Sequence, residues 1–220
     1  MNHLQMQLLD SKTCEKLLLR INQEGEWQDG ARTAGSYAKA GKRNLQMKMD
    51  CQLRDDLHTL VEQSMWSNPA IKGYCLPRKL HRFLISKTDQ GGGYESHVDN
   101  AFMSSGRSDL SFTLSLTNDQ NYEGGELEVD SISESHSFKL KQGEIIIYPS
   151  TQLHSVAEVN KGERYVCVGW IQSYIQNNED RNFLFGLDAG AKGLLTKHGR
   201  SDELDLIFQA YSNLLRRLGD

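Results

Sequence analysis

Cysteine is scarce and scattered in this chain: Cys14, Cys51, Cys75 and Cys167 stand far apart, and no C-x-x-C pair occurs. That removes the usual zinc and thioredoxin-like signatures, and reduced, structurally inert thiols in a cytoplasm are the expectation. Positive charge is not in excess either. With 25 Lys and Arg against 29 Asp and Glu the net charge is −4, which leaves no electrostatic footprint for a phosphate backbone, so nucleic acid is set aside as a partner. No apolar run approaches the roughly eighteen residues of a membrane span. The opening stretch is broken by Asp10, Lys12, Glu15 and Lys16, where a signal peptide needs an unbroken apolar region. Neither an internal repeat nor a low-complexity tract is present. What remains is an ordinary folded composition, 38% hydrophobic and 25% charged over 220 residues, enough for one substantial domain with added elements.

From Asp10 to Gln23, Cys14, Leu17, Leu18 and Ile21 recur at helical spacing behind an Asp-Ser cap signal, with Gly25 as the stop. A second amphipathic helix is predicted from Leu53, Leu57, Leu60, Val61 and Met65, introduced by Asp50 and closed at Ser67-Asn68-Pro69. Between them Gly30 to Asn44, rich in Gly, Ala, Ser and Lys, reads as an irregular segment. From Lys79 to about Tyr174 the period shortens. HRFLIS, DLSFTLSLT, GELEVDS, SFKL, EIIIYP and RYVCVGWIQ are short apolar or alternating runs separated by turn residues. Gly124 and Gly125 read as a tight turn or a close backbone approach at a strand start. After Asp180, Leu204, Ile207, Phe208, Tyr211, Leu214 and Leu218 return to helical spacing and predict a C-terminal helix packed on the strands. The expected fold is α+β. A jelly roll, or double-stranded β-helix, over 78–175 closes such a run of strands around an interior site, although periodicity by itself leaves other all-β topologies open. Helical regions over 1–77 and 176–220 are expected to flank it.

His97-Val98-Asp99 follows Gly91-Gly92-Gly93. Residues two apart on extended backbone project to the same face, so both side chains can reach one ion. Imidazole nitrogen with carboxylate oxygen suits a borderline metal such as Fe(II), and two histidines with one carboxylate leave three coordination positions open. By itself H-x-D is weak, since seven histidines among this many aspartates yield such a triplet by chance with an expectation of roughly 0.5. His154, just past EIIIYP, is the candidate third ligand. Arg164 follows, across an expected hairpin turn at Asn160-Lys161-Gly162 that would lay it beside the strand beginning near His154. A guanidinium grips a carboxylate through two charge-assisted hydrogen bonds. A dicarboxylate anchored there would present its 2-oxo acid end to the metal. His3, His58, His81, His136 and His198 lack a paired motif and read as surface or packing residues; Trp170, Phe112 and Phe102 read as core or pocket wall.

In this order the residues resemble the bacterial PKHD-type hydroxylases, members of the iron and 2-oxoglutarate oxygenase superfamily related to prolyl and lysyl hydroxylases. YESHVDNAFM, RSDLSFTLSLTNDQNYEGGELEVD, KLKQGEIIIYPSTQLHSVAEVNKGERYVCVGWIQS and DRNFLFGLDAG are similar to that family's segments in sequence order. So are GARTAGSYA, Asn44-Leu45 and YSNLLRRLG, and the resemblance covers nearly the whole chain. It implies iron on His97, Asp99 and His154, 2-oxoglutarate on Arg164, and hydroxylation with O₂ and 2-oxoglutarate as co-substrates. L-ascorbate is expected to restore oxidised iron. Asp99 argues against a halogenase, in which relatives replace this carboxylate. One departure stands out: the family often shows an Asn-Arg-Tyr-type sequence before the glycines, where this chain has Ser86-Lys87-Thr88. Thr88, or Tyr94, would then stand in for the tyrosine that helps hold the co-substrate. Two substrate classes remain open, a peptidyl or amino-acid side chain and a small molecule linked to iron uptake. The rivals are a non-catalytic jelly-roll sensor of iron or 2-oxoglutarate acting through a partner, and a zinc hydrolase on the same ligands, which lacks an adjacent general base. The helical flanks offer surfaces for a homodimer.

Overall fold

A computed structural model describes residues 3–33, 35, 39–131 and 134–220. Part of the expected irregular segment, at 34 and 36–38, lies outside the described residues.

Alternation decides the architecture. Along strand Leu110–Ser115, Leu110, Phe112 and Leu114 join the main hydrophobic cluster, while Ser111 and Thr113 line a cavity on the other side. Strand Arg164–Ser173 repeats the pattern: Tyr165, Cys167 and Ile171 enter the cluster, and Arg164, Val166 and Val168 line the cavity. Side chains two apart share a face, so the sheet acquires an apolar back and a partly polar front. Gly169 belongs to the back. A Cβ there would stand 2.5 Å from Phe83 Cβ and 2.7 Å from Phe112 Cε1, so the bare backbone is what admits both rings.

The larger sheet runs Leu4–Gln7, Glu144–Pro149, Leu110–Ser115, Arg164–Ser173, Leu84–Thr88, Leu45–Met47 and Trp27–Asp29, with Pro77–Leu80 also paired to Arg164–Ser173. A smaller one runs Ser135–Phe138, Leu127–Asp130, His154–Val156, Gly93–His97 and Lys42–Arg43. Both are antiparallel. Leu127 and Val129 of the small sheet pack with Ile146 and Tyr148 of the large one, closing one end of the interior. This is the expected jelly-roll core, and it leaves the other end open as the cavity.

The apolar back is covered by α1 (Ser11–Glu24), α2 (Gln52–Ser67) and α3 (Pro69–Cys75), which contribute Cys14, Ile21, Leu57, Val61 and Ile71 to the same cluster. Asp10 caps α1, accepting from Thr13 N at 2.7 Å. Asp50 does not cap α2, which starts one residue beyond Cys51 without a side-chain cap. Asn68-Pro69 opens a helix as well as closing one. The Asn68 side chain accepts from Ala70 N and Ile71 N, and proline at the first helical position costs no hydrogen bond. Strand Leu4–Gln7, whose polar alternation gave no signal, pairs with Glu144–Ile147.

The C-terminal region holds two helices, α4 (Asn178–His198) and α5 (Asp202–Leu218). The expectation that the last helix packs on the strands is corrected. It runs along α4, which in turn packs on α3, and Leu204 is its one fully buried residue. The α5 stripe finds its apolar partner in the neighbouring helix, because α1–α3 already cover the sheet's back. All four cysteines are free. No described helix is long and apolar enough to cross a membrane.

Candidate metal centre

His154 lies directly opposite His97 in the antiparallel pair His154–Val156 and Gly93–His97. Asp99 follows two residues later, just beyond the strand end. Antiparallel pairing therefore places two imidazoles side by side, their ring centres 4.3 Å apart, with the carboxylate next to them. One ligand atom from each of the three lies within 4.8 Å of the others. His154 Nε2 is 3.7 Å from Asp99 Oδ2.

Local backbone orients both rings. His97 Nδ1 lies 2.8 Å from the Glu95 carbonyl, and His154 Nδ1 lies 3.0 Å from the Gln152 carbonyl. A carbonyl only accepts, so Nδ1 carries the hydrogen on each ring and the Nε2 lone pairs are left for a metal. Burial and the neighbouring His154 push His97 below the ordinary imidazole range, which favours the neutral ring a metal needs. Asp99 is held too. Ser111 Oγ donates to its Oδ2 at 2.5 Å, Ser150 Oγ lies 2.8 Å from Ser111 Oγ, and Ser108 Oγ donates to Ser150 at 2.9 Å. The only sequence signal for Ser111 was the alternation of DLSFTLS, which assigns it a face and not a partner.

Arg164 is buried and lines the same cavity, but from the other sheet. The expected hairpin turn is corrected. Val159–Gly162 is a strand paired with Tyr122–Gly124, and Gly162, at φ 80°, turns the chain into the large sheet. There Arg164 pairs with Thr88 rather than with the strand of His154. Gly125, at φ 68°, lies against its stem; a Cβ would come 3.0 Å from Arg164 Cδ and 2.9 Å from Val159 Cγ2. This is the close approach expected at the glycine pair.

Two tyrosines that the sequence did not single out flank the guanidinium. Tyr122 and the Arg164 stem both pack against Gly125. Tyr148 is buried, its ring 5.3 Å from that of His154, and feels the charges of both Asp99 and Arg164; burial pushes its phenol well up. Tyr94 packs on His97, ring centres 3.7 Å apart. The cavity, about 1720 Å³ and open to solvent, is lined by Thr88, Arg164, the three candidate ligands and Trp170. Phe112 is core, and Phe102, 71% exposed, lines the cavity, in keeping with the expected core or pocket wall.

Residues 80–172, which carry the three candidate ligands, Thr88 and Arg164, match the model of the 2OG-Fe(II) oxygenase superfamily. A prolyl-4-hydroxylase of Pseudomonas putida superposes with a TM-score of 0.55 at 16% identity, over 78% of this chain and 92% of that one. A prolyl hydroxylase from Trichoplax adhaerens, solved with a peptide fragment of the hypoxia inducible factor oxygen degradation domain, gives 0.57 at 17%, over 83% and 86%. At such identities the likeness is one of fold. Fold and superfamily match together define the class, an oxygenase that uses iron and 2-oxoglutarate.

Sequence relatives narrow it. A PKHD-type hydroxylase of Synechococcus sp. (strain CC9311) is 67% identical over 219 residues, covering 100% of both chains. Another, from Prochlorococcus marinus (strain NATL1A), is 57% identical over 221 residues with the same coverage. The chain belongs to the PKHD-type hydroxylases.

Proposed function

We propose that His97, Asp99 and His154 hold Fe(II), and that Arg164 holds the far carboxylate of 2-oxoglutarate while a substrate is hydroxylated alongside. The observation that carries this reading is the cross-strand pair of histidines with Asp99, opening on the cavity that a buried arginine enters from the facing sheet. The donor set fits the ion: two neutral imidazoles and a carboxylate leave positions for a chelating 2-oxo acid and for O₂. The arginine fits the co-substrate, because it is buried without a salt-bridged carboxylate among the described residues. An anion of complementary shape relieves that cost.

Bound iron supplies the redox chemistry that couples decarboxylation of 2-oxoglutarate to succinate with insertion of one O₂ oxygen into a C–H bond. The chain does the rest. Arg164 sets the direction of the co-substrate, with Thr88 opposite and Tyr122 and Tyr148 beside it. Ser111 fixes the Asp99 carboxylate, and Val166 and Val168 make the neighbouring wall apolar. L-ascorbate is assigned as the reductant that returns Fe(III) to Fe(II) after turnovers without substrate. Four free thiols support the cytoplasm as the compartment.

One anaerobic experiment tests the reading. Fe(II) and 2-oxoglutarate are added, the metal-to-ligand charge-transfer band is sought, and O₂ is then admitted while succinate is assayed. Band and succinate are both expected. A sensor shows the band without turnover, and a zinc hydrolase shows neither. Asp99→Ala abolishes substrate-independent succinate formation; wild-type rates in that variant would remove Asp99 from the site. Arg164→Ala raises the 2-oxoglutarate requirement and leaves Fe(II) binding largely intact, and an unchanged requirement would remove the arginine's role.

A further inference from the structure

One wall of the cavity comes from outside the matched oxygenase region, from Thr33, Lys42, Asn44 and Gln46. Lys42 sits on the edge strand Lys42–Arg43, directly opposite Tyr94. Its Nζ stands 4.8 Å from the centre of the Tyr94 ring, and that ring packs on His97. The ammonium is thus one aromatic ring away from the metal ligands, and its charge acts on both Asp99 and His97.

Lys42 is half-buried, yet it forms no ion pair among the described residues. Its polar contact is a long one, 3.4 Å to Thr33 Oγ1. Gln46 converges on the same hydroxyl. Only 1% exposed, it accepts from Thr33 Oγ1 at 2.5 Å through Oε1, which leaves Nε2 buried with no partner among the described residues. Lys42 and Gln46 both belong to this wall, the ammonium half-buried and the under-used amide N–H just beneath its surface. A buried donor without an acceptor costs about 1–3 kcal/mol, so such a pair marks a place where an acceptor belongs.

The charge around the cavity points the same way. Its acidic lining residues are Asp99 and Asp109. Asp99 belongs to the metal site, and Asp109 is engaged by Arg107 Nε at 2.7 Å and Ser173 N at 2.8 Å. Among the other lining cations, Arg82 faces Asp55 at 3.4 Å and Lys79 donates to the Ser105 carbonyl at 3.0 Å. A chain of net charge −4 has therefore gathered cations at this opening, and among the described residues Lys42 and Arg164 are the lining cations without an acid or a carbonyl; Arg164 is assigned to 2-oxoglutarate, which leaves Lys42. Burial lowers its pKa to about 8, the cost expected of an ammonium lacking its counter-ion.

We propose that the primary substrate carries a carboxylate, received by Lys42 together with the Gln46 amide, while the C–H bond to be oxidised lies toward His97. This rests on the reading of the three ligands and Arg164 given above. Two donors match the two oxygens of a carboxylate, and a charge-assisted pair in a half-buried wall selects acids over their neutral isosteres.

The test uses the Fe(II)·2-oxoglutarate enzyme under argon, with 2-oxoglutarate saturating so that Arg164 is occupied. Absence of the charge-transfer band in the wild type would overturn the iron and co-substrate reading, and this proposal with it. With the band present, two matched probe pairs are titrated calorimetrically. Hexanoate against hexanamide represents a free acid, and N-acetylglutamate α-methylamide against N-acetylglutamine α-methylamide represents a peptide-borne one. At least one acid is expected to bind about tenfold or more tightly than its amide, and the pair that does so identifies the source. Lys42→Met loses that preference, Lys42→Arg keeps most of it, and Lys79→Met leaves it unchanged, with the band retained in all three. Acids that bind no better than amides, or equally well to Lys42→Met, overturn the carboxylate assignment alone.

Discussion

The Ser111 hydroxyl donates a 2.5 Å hydrogen bond to Asp99 Oδ2, joining a residue of the large sheet to a metal-ligand candidate at the end of a strand in the small one. Behind it, Ser150 and Ser108 continue the chain of hydroxyls, so the carboxylate is held by a buried relay rather than by solvent.

Ser111→Ala therefore leaves Asp99 free to rotate. Loss of such an orienting partner weakens metal binding by about 10–100-fold. Fe(II) titration of the charge-transfer band measures this directly, and wild-type affinity would mean that the two imidazoles suffice to orient the site. The melting temperature of the metal-free protein should move far less than that affinity does.

Gly125→Ala acts on the other half. Its φ of 68° carries a strain of about 1–2 kcal/mol for a residue with a Cβ, and the new methyl meets Arg164 Cδ and Val159 Cγ2. The KM for 2-oxoglutarate should rise severalfold at unchanged Fe(II) affinity. Parallel losses in both would point to general unfolding instead.

Gly169→Ala tests the core and not the chemistry. Phe83 and Phe112 are both fully buried and have no space into which to withdraw. Overpacking of about 2 kcal/mol lowers the melting temperature of a chain this size by about 4–8 °C, as a thermal melt of the purified variant will show. An unchanged melting temperature would mean that the two rings repack freely.

The pH dependence follows from His97, whose folded-state pKa falls from 6.5 to about 4 through burial and the neighbouring His154. Between these values the unfolded chain binds a proton that the folded chain refuses, so stability is full above about pH 6.5 and declines as pH drops toward 4. Melts of the metal-free protein across that range should show the decline, and His97→Gln should flatten it. Fe(II) affinity falls in the same direction, because protons compete for the Nε2 lone pairs.

Much of the site was legible because its signals are local. H-x-D on extended backbone places two candidate ligands on one face whatever the strand pairs with, and the alternation in DLSFTLS and EIIIYP assigns each residue to front or back. The cap at Asp10 and the glycine pair before Glu126 are equally local. Asn68 ends α2 where the sequence placed the stop; that it also starts α3 was not legible, because only its hydrogen bonds to Ala70 and Ile71 show the second role.

Residue identity by itself pointed to the candidate ligand types, the strand-rich core and a cation suited to gripping a carboxylate. Tertiary structure alone decided that Arg164 enters from the opposite sheet, that Tyr148 lies beside His154 in the cavity wall, and that Ser111 and Lys42 complete the walls. Periodicity reports the face of its own strand on which a side chain lies, while what it meets is set by register and sheet packing between segments far apart in the chain.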